Sequence, residues 1–234
     1  MALQTTLSQI RDFLLDLVFP RRCIGCGTEG KFLCSSCCDS LPRLEHPYCA
    51  RCGFPLSRGR FCPDCLNSPF AIDGIRSLFL HQGLAREAVH YLKYKNLKTL
   101  AQPLAELMAE YLESNPLPVD ILIAVPMHPK RMRRRGYNQS DLLVEELSHL
   151  TRLPTAEGSL SRRINTPSQV SLGAEARRSN VQGAFQYKDQ VFQNKNVLLV
   201  DDVCTTGATL DACAIALKEA GATSVWGLTL SREC

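Results

Sequence analysis

The sequence predicts an α/β protein in which a mostly parallel sheet, covered by helices on both faces, follows a small cysteine-rich module. Two observations carry this prediction. Nine of the twelve cysteines lie between Cys23 and Cys65, so the two parts of the chain rely on different stabilising chemistry. After residue 70 the chain contains short apolar runs between amphipathic helical segments, a pattern typical of a parallel sheet buried between helices.

The composition limits the classes of protein that the chain can represent. Its 234 residues carry a formal net charge of +4, which is modest beside dedicated nucleic-acid-binding domains. No apolar run reaches the roughly 18 residues that a membrane-spanning helix requires, so we expect no membrane insertion. The apolar residues of positions 1–20 fall on one face of a helix that Pro20 would end. We therefore expect an amphipathic N-terminal helix rather than a secretory signal, and a cytoplasmic protein.

Residues 21–68 contain four consecutive Cys-x-x-Cys pairs, a spacing that turns two thiolates toward one metal ion. Two pairs complete a tetrahedral site with no position open to water, so we expect two structural zinc ions. Seven residues separate the first two pairs and nine the last two, which favours pairing in chain order but leaves an interleaved pairing open. A disulfide framework is the alternative, which a reducing compartment disfavours. The expected ligands are Cys23, Cys26, Cys34, Cys37, Cys49, Cys52, Cys62 and Cys65.

The remaining residues, 71–234, contain four strand-like and four helix-like segments. Short apolar runs predict strands, and longer segments with apolar residues every three or four positions predict helices. The predicted strands are Ile75–Leu80, Ile121–Val125, Val197–Val200 and Ser224–Leu230, and the predicted helices are Leu84–Tyr94, Thr99–Leu112, Ser140–Leu150 and Ala208–Ala220.

Two carboxylates and a turn of small residues follow the predicted strand Val197–Val200. Open α/β sheets place ligands at the carboxyl ends of their strands. The turn Thr205–Thr209 presents successive backbone N–H groups and three hydroxyls at the start of a helix, an arrangement that holds a phosphate. Asp201 and Asp202 would repel further phosphate, but they suit the vicinal hydroxyls of a ribose with Mg²⁺ nearby. A ribose 5-phosphate with a metal-bound pyrophosphate, as in phosphoribosyl pyrophosphate (PRPP), meets all of these demands.

A second candidate element is the cationic run from Lys130 to Arg135, in which five of the six residues are basic. Such a run is most often a solvated loop or helix face. It follows a predicted strand and leads into a helix, so it could meet the Thr205–Thr209 turn across the carboxyl edge of the sheet. Arginine is well suited to bidentate contacts with pyrophosphate.

Together these features resemble the ComF family of competence-associated proteins, which couple a double zinc ribbon to a domain like the type I phosphoribosyltransferases. The resemblance covers essentially the whole chain and includes Arg135-Gly136-Tyr137-Asn138-Gln139 and the motif Asp201–Thr209. It implies a type I phosphoribosyltransferase-like sheet with Asp201 and Asp202 as catalytic residues. It implies PRPP binding by Asp201, Asp202, Val203, Cys204, Thr205, Thr206, Gly207, Ala208 and Thr209. It also implies a pyrophosphate side formed by Arg133, Arg135, Asn138 and, within a flap at about Gln169–Arg178, Arg177.

The resemblance implies transfer of phosphoribosyl from PRPP to an unknown acceptor with release of pyrophosphate, Mg²⁺ as cofactor, and a role in DNA uptake during natural competence. Cys204 occupies a variable position of the motif, so we expect its thiol to be inert. Two alternatives remain open. The chain could be a non-catalytic PRPP sensor, or its basic zinc module and cationic run could contact single-stranded DNA beside a helicase-like uptake protein. The charges of the zinc module could equally be a solvated surface, and no sequence feature names the acceptor.

Overall fold

A computed structural model describes residues 20–67, 70–164, 183–188 and 190–234. Of the predicted N-terminal helix at 1–20, only Pro20 lies within these residues. The predicted flap at about Gln169–Arg178, which includes Arg177, lies wholly outside them. The chain divides into two compact units, residues 1–41 and 42–234, and each is described by itself. The domain division expected from the sequence, 21–68 and 71–234, stays a prediction. Within the described ranges, no helix has both the length and the apolar character needed to cross a bilayer.

The first unit is organised around the first two Cys-x-x-Cys pairs. Helix α1, Ser35–Asp39, carries the buried Cys37. A single antiparallel bridge joins Arg22 to Glu29, and their side chains form an exposed ion pair of 2.9 Å. Since such a short segment buries little apolar surface, metal binding has to supply much of its folding free energy.

The second unit contains a four-stranded parallel sheet in the order β1-β6-β5-β2. The central strands β5 and β6 are buried on both faces, which explains their nearly continuous apolar sequence. Because all neighbouring strands are parallel, their carboxyl ends lie along one edge. The strands of this sheet are β1 Gly74–Leu80, β2 Ile121–Ala124, β5 Asn196–Cys204 and β6 Ser224–Arg232.

Six helices belong to the second unit as described. A 3₁₀ turn, Lys98–Leu100, precedes the second long helix. The helices are α2 Pro63–Asn67, α3 Gly83–Tyr94, α4 Ala101–Ser114, α5 Pro129–Arg135, α6 Gln139–Thr151 and α7 Ala208–Glu219. All four predicted strands and all four predicted helices are therefore present, with ends that differ by a few residues.

The predicted end of the motif strand is wrong by four residues. Strand β5 continues through Cys204, so the two aspartates lie within the sheet and not after it. Asp201 still pairs in register with Thr229 of β6. Strand β5 is longer than predicted because β6 extends to Arg232. The backbone hydrogen bonds between the two strands therefore continue past Val200 as far as Cys204.

Two further elements were not predicted. The cationic run forms helix α5, in which His128 is the N-cap and Pro129 occupies the first turn; the His128 ring accepts a hydrogen bond from the Lys130 backbone N–H at 3.2 Å. A separate antiparallel pair joins β3, Leu160–Arg162, to β4, Phe185–Tyr187. Strands of three residues carry too little alternation to be detected from sequence.

The outer edge of β1 is covered by the chain that leads through the third Cys-x-x-Cys pair. The Leu44 N–H donates to the Leu78 carbonyl at 2.8 Å, and the Leu80 N–H donates to the Pro42 carbonyl at 2.8 Å. Further along, the Ile75 N–H donates to the Arg51 carbonyl at 2.6 Å. Residues 42–51 therefore satisfy backbone groups that an edge strand would otherwise leave open.

Candidate functional site

Each of two cysteine sets brings four sulfur atoms together. Within each set the Sγ atoms lie within 4.8 Å of one another. The pairing follows chain order, so the interleaved alternative is excluded. The first set is Cys23, Cys26, Cys34 and Cys37, and the second set is Cys49, Cys52, Cys62 and Cys65.

The geometry of both sets fits tetrahedral zinc. The Sγ atoms of Cys26 and Cys34 are 3.6 Å apart, as are those of Cys52 and Cys62. A tetrahedron with Zn–S bonds of about 2.3 Å requires about 3.8 Å. In the second set the Cys62 backbone N–H also donates to the Cys49 sulfur at 3.4 Å, which stabilises a thiolate. Four cysteines complete each coordination sphere, so these are structural and not catalytic zinc sites.

The acidic pair of the motif occupies the carboxyl end of β5, where Asp202 is nearly inaccessible at 2% exposure. Lys93, the next-to-last residue of α3, forms an ion pair with the Asp202 Oδ1 atom at 2.7 Å. Burial opposes the charge on Lys93, but the attraction of Asp202 outweighs it and raises the pKa of the ammonium group. The other oxygen, Oδ2, is buried and has no hydrogen-bond partner within the described part of the chain.

The neighbouring Asp201 is held by two donors. Its Oδ1 accepts hydrogen bonds from the Ser140 hydroxyl at 2.9 Å and from the Asp202 backbone N–H at 2.9 Å. Burial, reinforced by the charge of Asp202, raises the pKa of Asp201 to about 7 despite the opposing influence of Lys93 and Ser140. The two carboxylates therefore differ: one is held as an ion pair, and the other exchanges a proton near neutral pH.

The predicted phosphate turn lies between β5 and α7. Gly207 adopts φ +81° as the N-cap of α7, a conformation that favours glycine. A Cβ at this position would come within 2.8 Å of the Ile75 Cδ1 atom, so the close packing beneath the turn also requires glycine. The Ala208 backbone N–H already donates to the Thr206 hydroxyl at 3.3 Å. The turn thus sits at the positive end of a 12-residue helix.

A cationic cavity of about 180 Å³ adjoins the ion pair of Lys93. Its basic lining residues come from the end of α3 and from one face of α5. Two tyrosines, Tyr94 and Tyr137, also line it. The Arg135 guanidinium lies 5.3 Å from the centre of the Tyr94 ring and also donates to the Gln139 side chain. The cavity is lined by Lys93, Tyr94, Asn96, Arg131, Arg134, Arg135 and Tyr137.

The three described residues predicted for the pyrophosphate side occupy different environments. Arg135 lines the cationic cavity, whereas Arg133 is exposed and does not line it. Asn138 is buried as the N-cap of α6; its amide donates to the Val125 carbonyl at 3.1 Å and to Asp141 at 2.9 Å. Its side chain thus fixes the start of α6, which carries Ser140 to Asp201. Whether any of the three contacts pyrophosphate stays a prediction.

Sequence reasoning assigned no role to Lys93, Ser140, Arg131 or Arg134. The last two share a face with Arg135 only because the run is helical, since residues three and four apart are neighbours on a helix. His128 followed by Pro129 is the start signal that could have revealed this helix. Lys93 and Ser140 carry no local signal, because each meets its aspartate through tertiary packing.

Cys204 ends β5 directly before the phosphate turn and is buried. Burial raises the pKa of its thiol, although the adjacent Arg232 guanidinium opposes this effect. The Arg232 Nη1 donates to the Cys204 sulfur at 3.0 Å. A buried thiol with a raised pKa is a poor nucleophile, which agrees with the expectation that Cys204 is inert.

A larger cavity of about 550 Å³ lies beside the edge strand β2. Its lining includes Met127 and Asn138 after β2, Asp141 on α6, and Arg162 at the end of β3. Arg162 is close enough to Asp201 to interact with it electrostatically. The cavity thus borders a residue that interacts with Asp201, although neither aspartate is among the described residues that line it.

Comparison with known proteins agrees with this geometry. A family model described as a double zinc ribbon domain matches residues 14–66, and one described as a phosphoribosyl transferase domain matches residues 157–230. The fold and its sites define a phosphoribosyltransferase-type α/β domain combined with a double zinc ribbon.

Relatives that match most of the chain identify the family. The chain is 32% identical to competence protein F of Haemophilus influenzae, over 90% of this chain and 97% of that protein. It is also 32% identical to the DNA utilization protein YhgH of Escherichia coli O157:H7, over 81% of this chain and 86% of that protein. The chain belongs to the ComF family of competence-associated proteins.

Among solved structures, the chain is similar to glutamine phosphoribosylpyrophosphate amidotransferase from B. subtilis complexed with ADP and GMP. The identity is 19% and the TM-score 0.38, over 56% of this chain and 26% of that one. A likeness this distant adds nothing to the assignment of the site.

Proposed function

We propose that the α/β domain binds PRPP with Mg²⁺ and transfers its phosphoribosyl group to an acceptor, in a protein that serves DNA uptake or use. The observation that carries the proposal is the buried Asp202 Oδ2, which finds no donor among the described residues and lies three residues before the phosphate turn. A buried acceptor without a hydrogen bond is rare in folded proteins. A ribose hydroxyl would supply the missing donor at the place where an adjacent turn accepts the 5-phosphate.

The charges around the acidic pair suit the rest of PRPP. The backbone N–H groups of Thr205–Thr209 face the 5-phosphate at the positive end of α7. The pyrophosphate fits the cationic cavity, where Lys93, Arg131 and Arg135 gather positive charge. Asp201 and Asp202 would hold Mg²⁺ through oxygen ligands, as this ion prefers, and the ion would supply compensation for the pyrophosphate charge.

The proposed reaction is a substitution at carbon 1 of the ribose. The bond from carbon 1 to the pyrophosphate oxygen breaks, pyrophosphate takes the electron pair, and a bond forms between carbon 1 and an acceptor nitrogen that loses its proton to solvent. The domain needs only to orient the reactants and stabilise the departing charge. The cavity beside β2, with Arg162 near Asp201, offers room for the acceptor.

A contact with single-stranded DNA is a second candidate, which helix α5 favours. None of its residues is buried, and Arg133, Arg134 and Arg135 occupy its last turn. Tyr94 is 62% exposed beside them. Basic side chains next to an exposed aromatic ring are the features that bind a nucleic-acid backbone and stack its bases. The names of the relatives, competence protein and DNA utilization protein, agree with such a role.

Calorimetric titration tests the PRPP proposal. We expect saturable, Mg²⁺-assisted binding to the zinc-loaded chain and none to the Asp201→Asn/Asp202→Asn double variant. The exposed Glu110 and Glu113, both replaced by Gln, form the charge-matched control, which should bind as the wild type does. Unchanged affinity in the double variant, given a native fold, would remove the proposal. Pyrophosphate release measured with a panel of nucleobases and amines then separates a transferase from a sensor.

The DNA contact is tested by titrating a fluorescent single-stranded oligonucleotide at several salt concentrations. We expect Arg133→Gln/Arg134→Gln to weaken binding and to reduce the slope of log affinity against log salt by about 1.4, at about 0.7 for each lost contact with a single strand. The variant Arg152→Gln/Lys195→Gln removes two exposed positive charges that lie after the end of α6 and before β5, and it should keep the wild-type slope. Equal salt slopes for the wild type and the α5 variant would argue against this candidate.

A further inference from the structure

A buried arginine lies between the second cysteine set and the phosphate turn. Arg232 is the last residue of β6 and is only 2% exposed. Arginine is almost never so buried unless its charge is compensated. The ion pairs found within the described ranges do not include it, and its Nε has no hydrogen-bond partner there. The positive charge of Arg232 therefore needs a compensating group other than a carboxylate of the described residues.

A zinc ion held by the second cysteine set would provide a compensating negative charge. Four thiolates around Zn²⁺ carry a net charge of about −2. The Arg232 Nη1 donates to the carbonyl of Cys52, a member of the second set, at 2.6 Å, and its guanidinium lies 5.5 Å from the centre of the Phe54 ring. The arginine is thus in place to offset the charge of the metal site.

The same guanidinium holds the strand that enters the phosphate turn. Its Nη1 also donates to the Cys204 sulfur at 3.0 Å, and Cys204 pairs in register with Arg232. The Glu233 N–H donates to the Cys204 carbonyl at 2.9 Å. Since Thr205 follows directly, the start of the turn is fixed to the residue that faces the zinc site.

A second path connects the same two places. The segment Arg51–Gly53 packs on Ile75, whose N–H donates to the Arg51 carbonyl at 2.6 Å. A Cβ on Gly53 would come within 2.8 Å of the Ile75 carbonyl oxygen. On its other side, the Ile75 side chain lies directly beneath Gly207. Two residues therefore support the phosphate turn, and both contact the second set. Arg232 contacts its ligand Cys52, and Ile75 contacts Arg51 and Gly53 on either side of that ligand.

We propose that Arg232 is a positioning residue that couples the second zinc site to the phosphate turn, so that zinc at this site and PRPP bind cooperatively. This inference rests on the proposed PRPP function. It predicts an effect in both directions, because coupling between two binding equilibria is reciprocal. Zinc in the second set raises PRPP affinity, and PRPP raises the affinity of the second set for zinc by the same factor. When zinc rebinds faster than the reagent alkylates, the alkylation rate of the second set reports this affinity.

Zinc loss can be followed for each set separately in the full-length, zinc-loaded protein. A chelator that prefers zinc over magnesium is added with an alkylating reagent, and mass spectrometry of peptides reports the alkylation rate of every cysteine. We expect saturating PRPP with Mg²⁺ to slow alkylation of the second set about tenfold, within the usual range of coupling. The first set, Cys23 to Cys37, is the internal control and should react at an unchanged rate.

Two variants of Arg232 test its part in the coupling. In Arg232→Met the protection by PRPP should fall below about twofold, and Arg232→Lys, which keeps the charge, should restore part of it. The variant Arg43→Met removes an exposed arginine that lies over the Phe79 ring and should behave as the wild type does. If Arg232→Met does not fold, the wild-type protection and the lysine variant still decide the question.

The outcomes separate this inference from the function on which it rests. PRPP binding to the wild type without protection of the second set would overturn the coupling alone. Equal protection of both sets would indicate general stabilisation and would also overturn it. Full protection in a folded Arg232→Met variant would remove the arginine from the mechanism. No PRPP binding by calorimetry would overturn the proposed function and the coupling with it.

Discussion

Replacing either aspartate of the acidic pair by asparagine removes one carboxylate, yet we expect opposite effects on stability. Burial and the charge of Asp202 raise the pKa of Asp201 to about 7 in the folded protein, against about 3.9 in an unfolded chain. The folded state therefore holds a proton that the unfolded state has released. The contribution of the protonated Asp201 to the free energy of unfolding is fully present below about pH 4 and is lost as the pH rises to about 7. At pH 8 the ionised Asp201 destabilises the fold by at most about 4 kcal/mol, at 1.4 kcal/mol for each pKa unit.

Asp201→Asn removes this penalty and keeps an oxygen that can accept from Ser140 and from the Asp202 N–H. Allowing for relaxation of the site, we expect the free energy of unfolding at pH 8 to rise by on the order of 2 kcal/mol. The gain should fall to roughly half at pH 5.5, because fewer pH units then separate the solution from the unfolded pKa. Asp202→Asn instead leaves Lys93 without its anion, and we expect a loss on the order of 3 kcal/mol.

Urea denaturation of the zinc-loaded protein at pH 5.5 and pH 8 measures both effects, and circular dichroism before denaturation confirms that each variant is folded. The reasoning would be refuted by an Asp201→Asn variant that is less stable than the wild type at pH 8. A gain of equal size at both pH values would also refute it, since the effect would then have another cause than the titration of Asp201.

Three further predictions concern single positions. Gly207→Ala should lower the free energy of unfolding by about 1–3 kcal/mol in thermal denaturation, because φ is +81° and a Cβ would press on Ile75; equal melting temperatures would contradict this. Asn138→Ala removes the cap of α6 and the bond to the Val125 carbonyl, and should lower the free energy of unfolding by about 1–2 kcal/mol; Asn138→Asp should lose more, because a buried carboxylate would face the Val125 carbonyl and the Asp141 carboxylate to which the amide now donates. Elemental analysis should find about two zinc ions per wild-type chain and about one in Cys62→Ser; an unchanged zinc content in the variant would speak against the second site.

Much of the architecture could be read from the sequence because its elements carry strong local patterns. The buried run Val197–Val200 and the amphipathic helix after Gly207 are long enough to identify their type. The Cys-x-x-Cys pairs are likewise a local signal. The grouping of these pairs into two sets is a weaker signal. The spacing favours pairing in chain order but also permits an interleaved pairing, and only the folded chain decides between them.

The parts of the site that escaped prediction depend on distant contacts. Lys93 and Asp202 are separated by more than a hundred residues, and nothing near Lys93 marks it as an ion-pair partner. Arg232 is the last residue of an ordinary strand, and it is buried because the second cysteine set packs over the end of that strand. The end of β5 was misjudged for the same reason: charged residues usually terminate a buried strand, but here Lys93 and Ser140 compensate them within the sheet.

The cover on the outer edge of β1 has a consequence for the handling and fate of the protein. An open edge strand is a template on which other chains can add by backbone pairing. Residues 42–51 close this edge, and the segment is anchored by Cys49 and Cys52, whose hold depends on zinc. Metal loss would release the cover and expose the seven-residue strand β1, with its Leu-Phe-Leu end, to other chains. We therefore expect removal of zinc from the second set to raise the light scattering of the protein while circular dichroism still reports the sheet.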